Sequence, residues 1–199
     1  MYPSPELSAI NSTIDRFFPR AQPPSVVVRV LEPADVPLVD AMSDALTPNS
    51  LYLRFFAGTP RIPTALLRQL AALDHDTREA VLAVADGKAV GMAQYVRDPD
   101  GTASAEIAVL VADAWQRQGI ATALVSHLTE LAVARGITRF DAAVLPENEA
   151  AHLGIARRWP GALGTATEDG IDYRLPVAAR RPPRESPAQA RECRVRIAE

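Results

Sequence analysis

The sequence predicts an α/β domain with a mostly antiparallel start and a βαβ crossover in its middle. Three observations carry this. VVVRV (26–30) is a β-branched run, and branched side chains favour the pleated strand. VLAVAD (81–86) and AVGMAQYVRD (89–98) are strand-like runs around Gly87-Lys88, the pattern of a hairpin. TASAEIAVLVAD (102–113) is a third such run; it opens into a helical pattern, and ITRFDAAVL (137–145) follows as another strand. Strand, helix and strand in that order make a crossover unit.

The elements follow in order. After the first strand, EPADVPLVDAMSDAL sets Val36, Leu38, Val39, Met42 and Leu46 at helical spacing. SLYLRFFAG (50–58) and TALLRQLAAL (64–73) are further helical pieces, the second opening after Pro63. PDG (99–101) turns the chain between the second and third strand-like runs. The central helix runs from Gly119 to Arg135, with Ile120, Leu124, Leu128 and Leu131 on one face. Gly136 closes it, as glycine does just past a last helical turn. ENEAAHLGIARRW (147–159) is a helix, and ALGTATEDGIDYRLPV (162–177) a final hairpin turning at Asp169-Gly170. No internal repeat is visible.

Composition bounds the function. The chain has 199 residues, 48% apolar and 23% charged, which suits one soluble globular domain with a substantial core. A net charge of -3 gives no electrostatic case for nucleic acid. No apolar run approaches the roughly 20 residues of a membrane span. The N-terminus lacks an apolar secretory core, so a cytoplasmic protein is the expectation. Cys193 is the single cysteine, which excludes an intramolecular disulfide and a cysteine-based zinc cluster; no metal site is expected. Residues 1–24, with five prolines, read as an extension, 25–177 as the domain, and 178–199 as a Pro/Arg-rich tail, disordered on composition. Cys193 in that tail reads as a bystander thiol, and His75, His127 and His152 read as surface histidines.

Gln116-Arg117-Gln118-Gly119-Ile120-Ala121 joins a strand to a helix. A helix N-terminus carries unpaired N–H groups and the positive end of the macrodipole. Glycine lets the backbone approach an anion with no Cβ in the way, and Ala121 stays small. This is the physics of a phosphate cradle. It lacks the Gly-Lys-Ser/Thr of a Walker loop and the three glycines of a dinucleotide loop. On the residues alone, a tight connection and an anion site both remain open.

Glu106 is an acid inside the apolar run A-E-I-A-V-L-V, sharing a strand face with Ala108 and Leu110. Burial there would raise its pKa and suit it to general-base work near neutral pH. An exposed residue at the strand's start, or an ion pair with Arg54 or Arg97, are the structural alternatives.

The order of elements and the Q-x-x-G-x-A loop resemble the GNAT acetyltransferases, which move an acetyl group from acetyl-CoA to an amine. The resemblance covers about residues 26–177. It implies a central mixed, mostly antiparallel sheet of about six to seven strands with helices on both faces. It also implies that backbone amides of Gln116, Arg117, Gln118, Gly119, Ile120 and Ala121 bind the CoA pyrophosphate, with Thr122 adding a contact. Arg117 and Gln118 are then backbone donors whose side chains face solvent. Ala108, Val109, Leu110 and Val111 stand where the family holds the pantetheine arm and polarises the thioester, often beside a bulge. Asn148 matches an asparagine that contacts the CoA arm.

Glu106, ten residues ahead of Gln116, is similar to the base of the lysine-acetylating branch. The family's tyrosine acid falls at Ile155 or a neighbour, which leaves the acid unassigned. The run SLYLRFF and the segment 73–98 resemble Pat-type bacterial protein-lysine acetyltransferases. There this region walls the acceptor groove, which makes Tyr52, Arg54 and Phe55 candidate substrate contacts. The aromatics of that run otherwise read as helix core. The expected activity is acetyl transfer to a primary amine, best a protein lysine, by a monomer or homodimer with no nucleic-acid or membrane partner. A small-amine acetyltransferase and a non-catalytic acyl-CoA-binding module are the competing expectations.

Overall fold

VVVRV forms β1 (Val26–Val30), with Val26 and Val28 wholly buried. The computed structural model describes residues 25–177 and the backbone of 192–195. The 1–24 extension and the other tail residues lie outside the described residues. After β1 come a 3-10 turn (Pro33–Asp35), α1 (Val36–Met42) and a second 3-10 turn (Ser43–Ala45). Two short helices follow, α2 (Pro48–Phe55) and α3 (Thr64–Ala71). The hairpin is β2 (Arg78–Ala85) and β3 (Lys88–Arg97), and the third run is β4 (Ser104–Val111). A 3-10 turn (Asp113–Trp115) leads to α4 (Ile120–Ala134), β5 (Arg139–Val144) and α5 (Glu149–Arg158). The last elements are β6 (Gly164–Ala166), β7 (Ile171–Pro176) and β8 (Glu192–Val195).

These strands make one eight-stranded sheet in the order β6-β7-β5-β4-β3-β2-β1-β8. All neighbours are antiparallel except β4 and β5, which the crossover helix α4 joins in parallel. The eighth strand is the addition to the expected sheet. Residues 192–195 of the tail pair with β1, whose outer edge would otherwise present unpaired N–H and C=O groups.

Period-two alternation gives the sheet two apolar faces. Val81, Ala83, Tyr95, Ala105 and Phe140 face α4 and α5, where Leu124, Leu128 and Ile155 close the first core. Ala80, Leu82, Met92 and Leu110 face the other way, onto Val39 and Met42 of α1, Leu51 of α2, and Leu66 and Leu70 of α3. Gly91 matters to the first layer. A Cβ there would stand 3.1 Å from Leu124 Cδ1 and 3.2 Å from the Leu110 carbonyl oxygen. Its absence lets the first turns of α4 settle directly on β3.

Several polar groups expected at the surface are structural. His152 Nδ1 bonds the Tyr173 hydroxyl at 2.8 Å and its Nε2 bonds the Leu145 carbonyl at 3.1 Å, so it braces α5 to β7. His127 is buried on α4. His75 bonds Glu79, a carboxylate only 1% exposed that also pairs with Arg135 at 2.8 Å. Of the aromatics in SLYLRFF, Phe55 packs on the core edge while Tyr52 and Phe56 are exposed. The helix stops early because Phe56 adopts a left-handed conformation, φ 55°.

Candidate active site

The β4–β5 pairing sets the geometry. It covers Ser104↔Arg139, Ala105↔Phe140 and Glu106↔Asp141 and ends there, while β4 runs on to Val111 and β5 to Val144. The two strands therefore fork at Glu106. The β3–β4 register stays continuous from Arg97↔Ala105 to Gly91↔Val111, so the anticipated bulge is absent. The Ala112 N–H donates to Val90 O, and the Asp98 N–H to Ser104 O. Antiparallel alternation then directs the backbone groups of Glu106, Ala108 and Leu110 to β3. Those of Ile107, Val109 and Val111 point into the fork. Of the four expected positions on this strand, Val109 and Val111 offer backbone groups there; Ala108 and Leu110 do not.

At the open end lies the loop. Arg117 has φ 63° and Gly119, the N-cap of α4, has φ 81°, so two left-handed residues bend the backbone between strand and helix. Apart from its chain neighbours, nothing among the described residues lies within 4 Å of where a Gly119 Cβ would be. Glycine is suited here by its φ and by the open space in front of it. The first helical bond is from the Ala123 N–H to Gly119 O, and no backbone acceptor is seen among the described residues for the N–H groups of Gln118 to Thr122. Ala121 and Thr122 are exposed on the first turn, while Ile120 buries its side chain in the core. Arg117 is exposed as expected. Gln118 departs from the expectation, since its side-chain amide donates to Ala114 O at 2.8 Å and stiffens the turn.

Gln116 is exposed, and its N–H donates to Asp113 O at 3.3 Å, so it is not among the amides free for an anion as expected. Its side-chain amide donates to Asp113 Oδ1 at 2.9 Å and to Val111 O at 3.2 Å. Asp113 in turn accepts from the Thr47 N–H at 2.6 Å and from the Ser50 hydroxyl. Thr47 is the N-cap of α2. The loop and the start of α2 are thus fastened to one carboxylate, a link with no local sequence signature.

At the closed end, Glu106 opens on a cavity of about 340 Å³ on the α2–α3 side of the sheet. Arg54 and Phe55 of α2 line it, with Leu66 and Gln69 of α3, and Gln94 and Ala108 of the sheet. Tyr52, the third expected contact, is not in the lining. Gln69 and Gln94 were missed: Gln94 stands opposite Ala108 only through the β3–β4 register, which the sequence does not reveal. Glu106 itself is exposed in the strand, so the expected burial of its carboxylate is not met. Arg97 cannot pair with it. Arg97 stands opposite Ala105, on the other face, and donates to Arg135 O at 2.7 Å. Arg54 is half-buried, and among the described residues it makes no ion pair. Burial holds its guanidinium below the usual arginine range, and the Glu106 carboxylate opposes that shift.

On the far wall, Asn148 caps α5, its Oδ1 accepting from the Ala151 N–H at 3.1 Å. Ile155, at the position where an acid was sought, is buried in the core. No hydroxyl replaces it on α5.

A forked parallel strand pair, a left-handed glycine loop opening the crossover helix and a carboxylate at the fork are the features by which the chain resembles an acetyltransferase. The family comparison agrees: residues 47–153 match the model of the acetyltransferase (GNAT) family, and the chain belongs to it. The GNAT domain of PAT from S. lividans shares 30% identity, with 75% of this chain and 89% of that chain covered and a TM-score of 0.67. A cAMP-binding acyltransferase from Mycobacterium smegmatis shares 22% identity at TM-score 0.58; this chain spans 59% of its length, and 95% of this chain is covered. YncA from Salmonella typhimurium, solved with its cofactor acetyl-CoA, shares 19% identity at TM-score 0.60, with 81% and 99% covered. The protein is a GNAT-family acetyltransferase. Among the described residues no helix is long and apolar enough to cross a membrane.

Proposed function

We propose that the protein acetylates lysine side chains of proteins, with Glu106 as general base. The observation that carries this is the position of Glu106, at the vertex of the β4–β5 fork and in the wall of a cavity shared with Arg54 and Phe55. The protein-lysine assignment is supported by the 30% identity to the PAT domain and by the SLYLRFF run of Pat-type enzymes.

Acetyl-CoA fits the residues present. Among the described residues the N–H groups of Gln118 to Thr122 have no backbone acceptor, and they head a helix, which suits the pyrophosphate. Backbone groups of Val109 and Val111 suit the amide-bearing arm, and Asn148 stands on the opposite wall of the fork. When bound, acetyl-CoA supplies a thioester carbonyl activated for acyl transfer.

The chain's own groups do the rest. A lysine ammonium has a reference pKa of ~10.4 and cannot attack until it loses a proton. Glu106 takes that proton, directly or through water. The freed amine forms the amide C–N bond as the C–S bond breaks, and the proton the nitrogen then sheds passes through water to the leaving thiolate. A backbone N–H aimed into the fork would stabilise charge developing on the carbonyl oxygen.

The test is acetyl transfer to a panel of proteins and small amines, comparing wild type with Glu106→Gln. The variant should bind acetyl-CoA normally and lose at least the ~10²-fold typical of a general base. Equal rates remove Glu106 from the mechanism. Transfer confined to small amines overturns the protein-lysine reading. Gly119→Glu should abolish acetyl-CoA binding while the domain still unfolds cooperatively; unchanged affinity moves the pyrophosphate away from this loop.

A further inference from the structure

Arg54 and Glu106 place opposite charges in one cavity, from two different elements. They do not neutralise each other by contact, since among the described residues Arg54 has no carboxylate within 4.0 Å. The guanidinium instead lies over the Phe55 ring, 4.9 Å from its centroid. The rest of the lining is neutral: the amides of Gln69 and Gln94, and apolar Pro63, Leu66 and Val96. A cation withdrawn partly from water with no anionic partner is costly, and a ligand that brings an anion recovers that cost. Once an acceptor ammonium occupies Glu106, the cavity's remaining unmatched charge is Arg54.

We propose that the acceptor carries a carboxylate beside its amine: a protein lysine flanked in sequence by Asp or Glu, whose carboxylate pairs with the Arg54 guanidinium. A fork of guanidinium N–H donors suits a carboxylate, and the pair sets which lysines are chosen without taking part in proton transfer. The inference rests on the protein-lysine reading and adds the chemistry of the recognised sequence. Arg54 is a specificity residue here and Glu106 the base.

Two peptide pairs test this with the full chain and acetyl-CoA: a lysine peptide with Asp on one side or the other, each against its Asn counterpart. Wild type should favour the Asp peptides about tenfold in kcat/KM, the scale of one charge-assisted hydrogen bond. Arg54→Gln should erase the preference, with acetyl-CoA affinity by calorimetry unchanged. Arg54→Glu should invert it toward lysine peptides flanked by Arg. Equal wild-type rates on Asp and Asn peptides overturn the inference and leave the protein-lysine reading standing. A preference that persists in Arg54→Gln overturns it too. An equal slowing of both peptides in Arg54→Gln assigns Arg54 to supporting Glu106 instead, which also overturns it. No transfer to any peptide by wild type defeats both readings together.

Discussion

Asp113 and Thr47, 66 residues apart in the chain, are joined by a 2.6 Å hydrogen bond from the Thr47 N–H to the Asp113 carboxylate. The same carboxylate accepts from Ser50 and from Gln116 of the loop. One side chain therefore fixes both the helix that walls the Glu106 cavity and the loop proposed to hold the pyrophosphate. Asp113→Ala should lower unfolding free energy by about 1–2 kcal/mol, the scale of a lost helix cap. It should also weaken acetyl-CoA binding several-fold. Urea unfolding and calorimetry measure the two effects; a stability loss with unchanged affinity would confine Asp113 to capping α2.

The pH dependence of Glu106→Gln tests the base assignment separately from its rate. Below a lysine's pKa of ~10.4 the free-amine fraction rises about tenfold per pH unit. With Glu106 present, the bound ammonium can be deprotonated on the enzyme. Without it, only amine already free can react. The deficit of Glu106→Gln in kcat/KM should therefore shrink by about tenfold per unit as pH rises from 7 to 9. A deficit constant across that range denies Glu106 the role of base.

Gly91 is expected to be intolerant of a branched side chain. Its Cβ would press on Leu124 Cδ1, Ile120 Cγ2 and the Leu110 carbonyl oxygen, all within 3.3 Å. Gly91→Val should destabilise by about 1–3 kcal/mol, as overpacking does. Gly91→Ala should cost less, since alanine also restricts the unfolded chain. Because Ile120 opens α4, both should loosen the loop and raise the Kd for acetyl-CoA. A melting temperature equal to wild type in Gly91→Val would refute the close approach.

His127 gives a pH dependence of stability. Its Nε2 is buried with no hydrogen-bond partner among the described residues. Burial pushes its pKa below 6.5, against weaker opposite pulls from Glu130 and Glu79. With the folded pKa below the unfolded one, stability is intact above about 6.5 and falls as pH drops through that value, because the unfolded chain takes up the proton first. Urea midpoints at pH 7.5 and 5.5 should therefore differ less in His127→Leu than in wild type. An identical acid loss in both would acquit His127.

Much of this was legible from the residues. The β-branched and alternating runs found the strands, and the Ile120–Leu131 spacing found α4, because those signals are local and periodic. Glu106 was conspicuous as an acid in an apolar strand, and Gly119 as a glycine between strand and helix. Other features depended on the fold. Which of Tyr52, Arg54 and Phe55 reaches the cavity turns on the rotation of an eight-residue helix, and one exposed aromatic looks like another in sequence. Gln94 needed the strand register, and Asp113 needed a contact across 66 residues. Glu106 is exposed because the fork opens beside it, and parallel strands that part midway leave no mark in hydrophobic periodicity.

That fork also measures length. Its vertex is the Glu106↔Asp141 pair, and the loop lies just past Val111 at its mouth. Val111 stands five steps along the strand from Glu106, about 17 Å at the usual ~3.4 Å rise. A donor anchored by its phosphates at the mouth must bring its reactive carbon to the vertex across that span. On the proposed reading the sheet is then a ruler: an acyl group on too short an arm stops before it reaches Glu106, however well its phosphates are held.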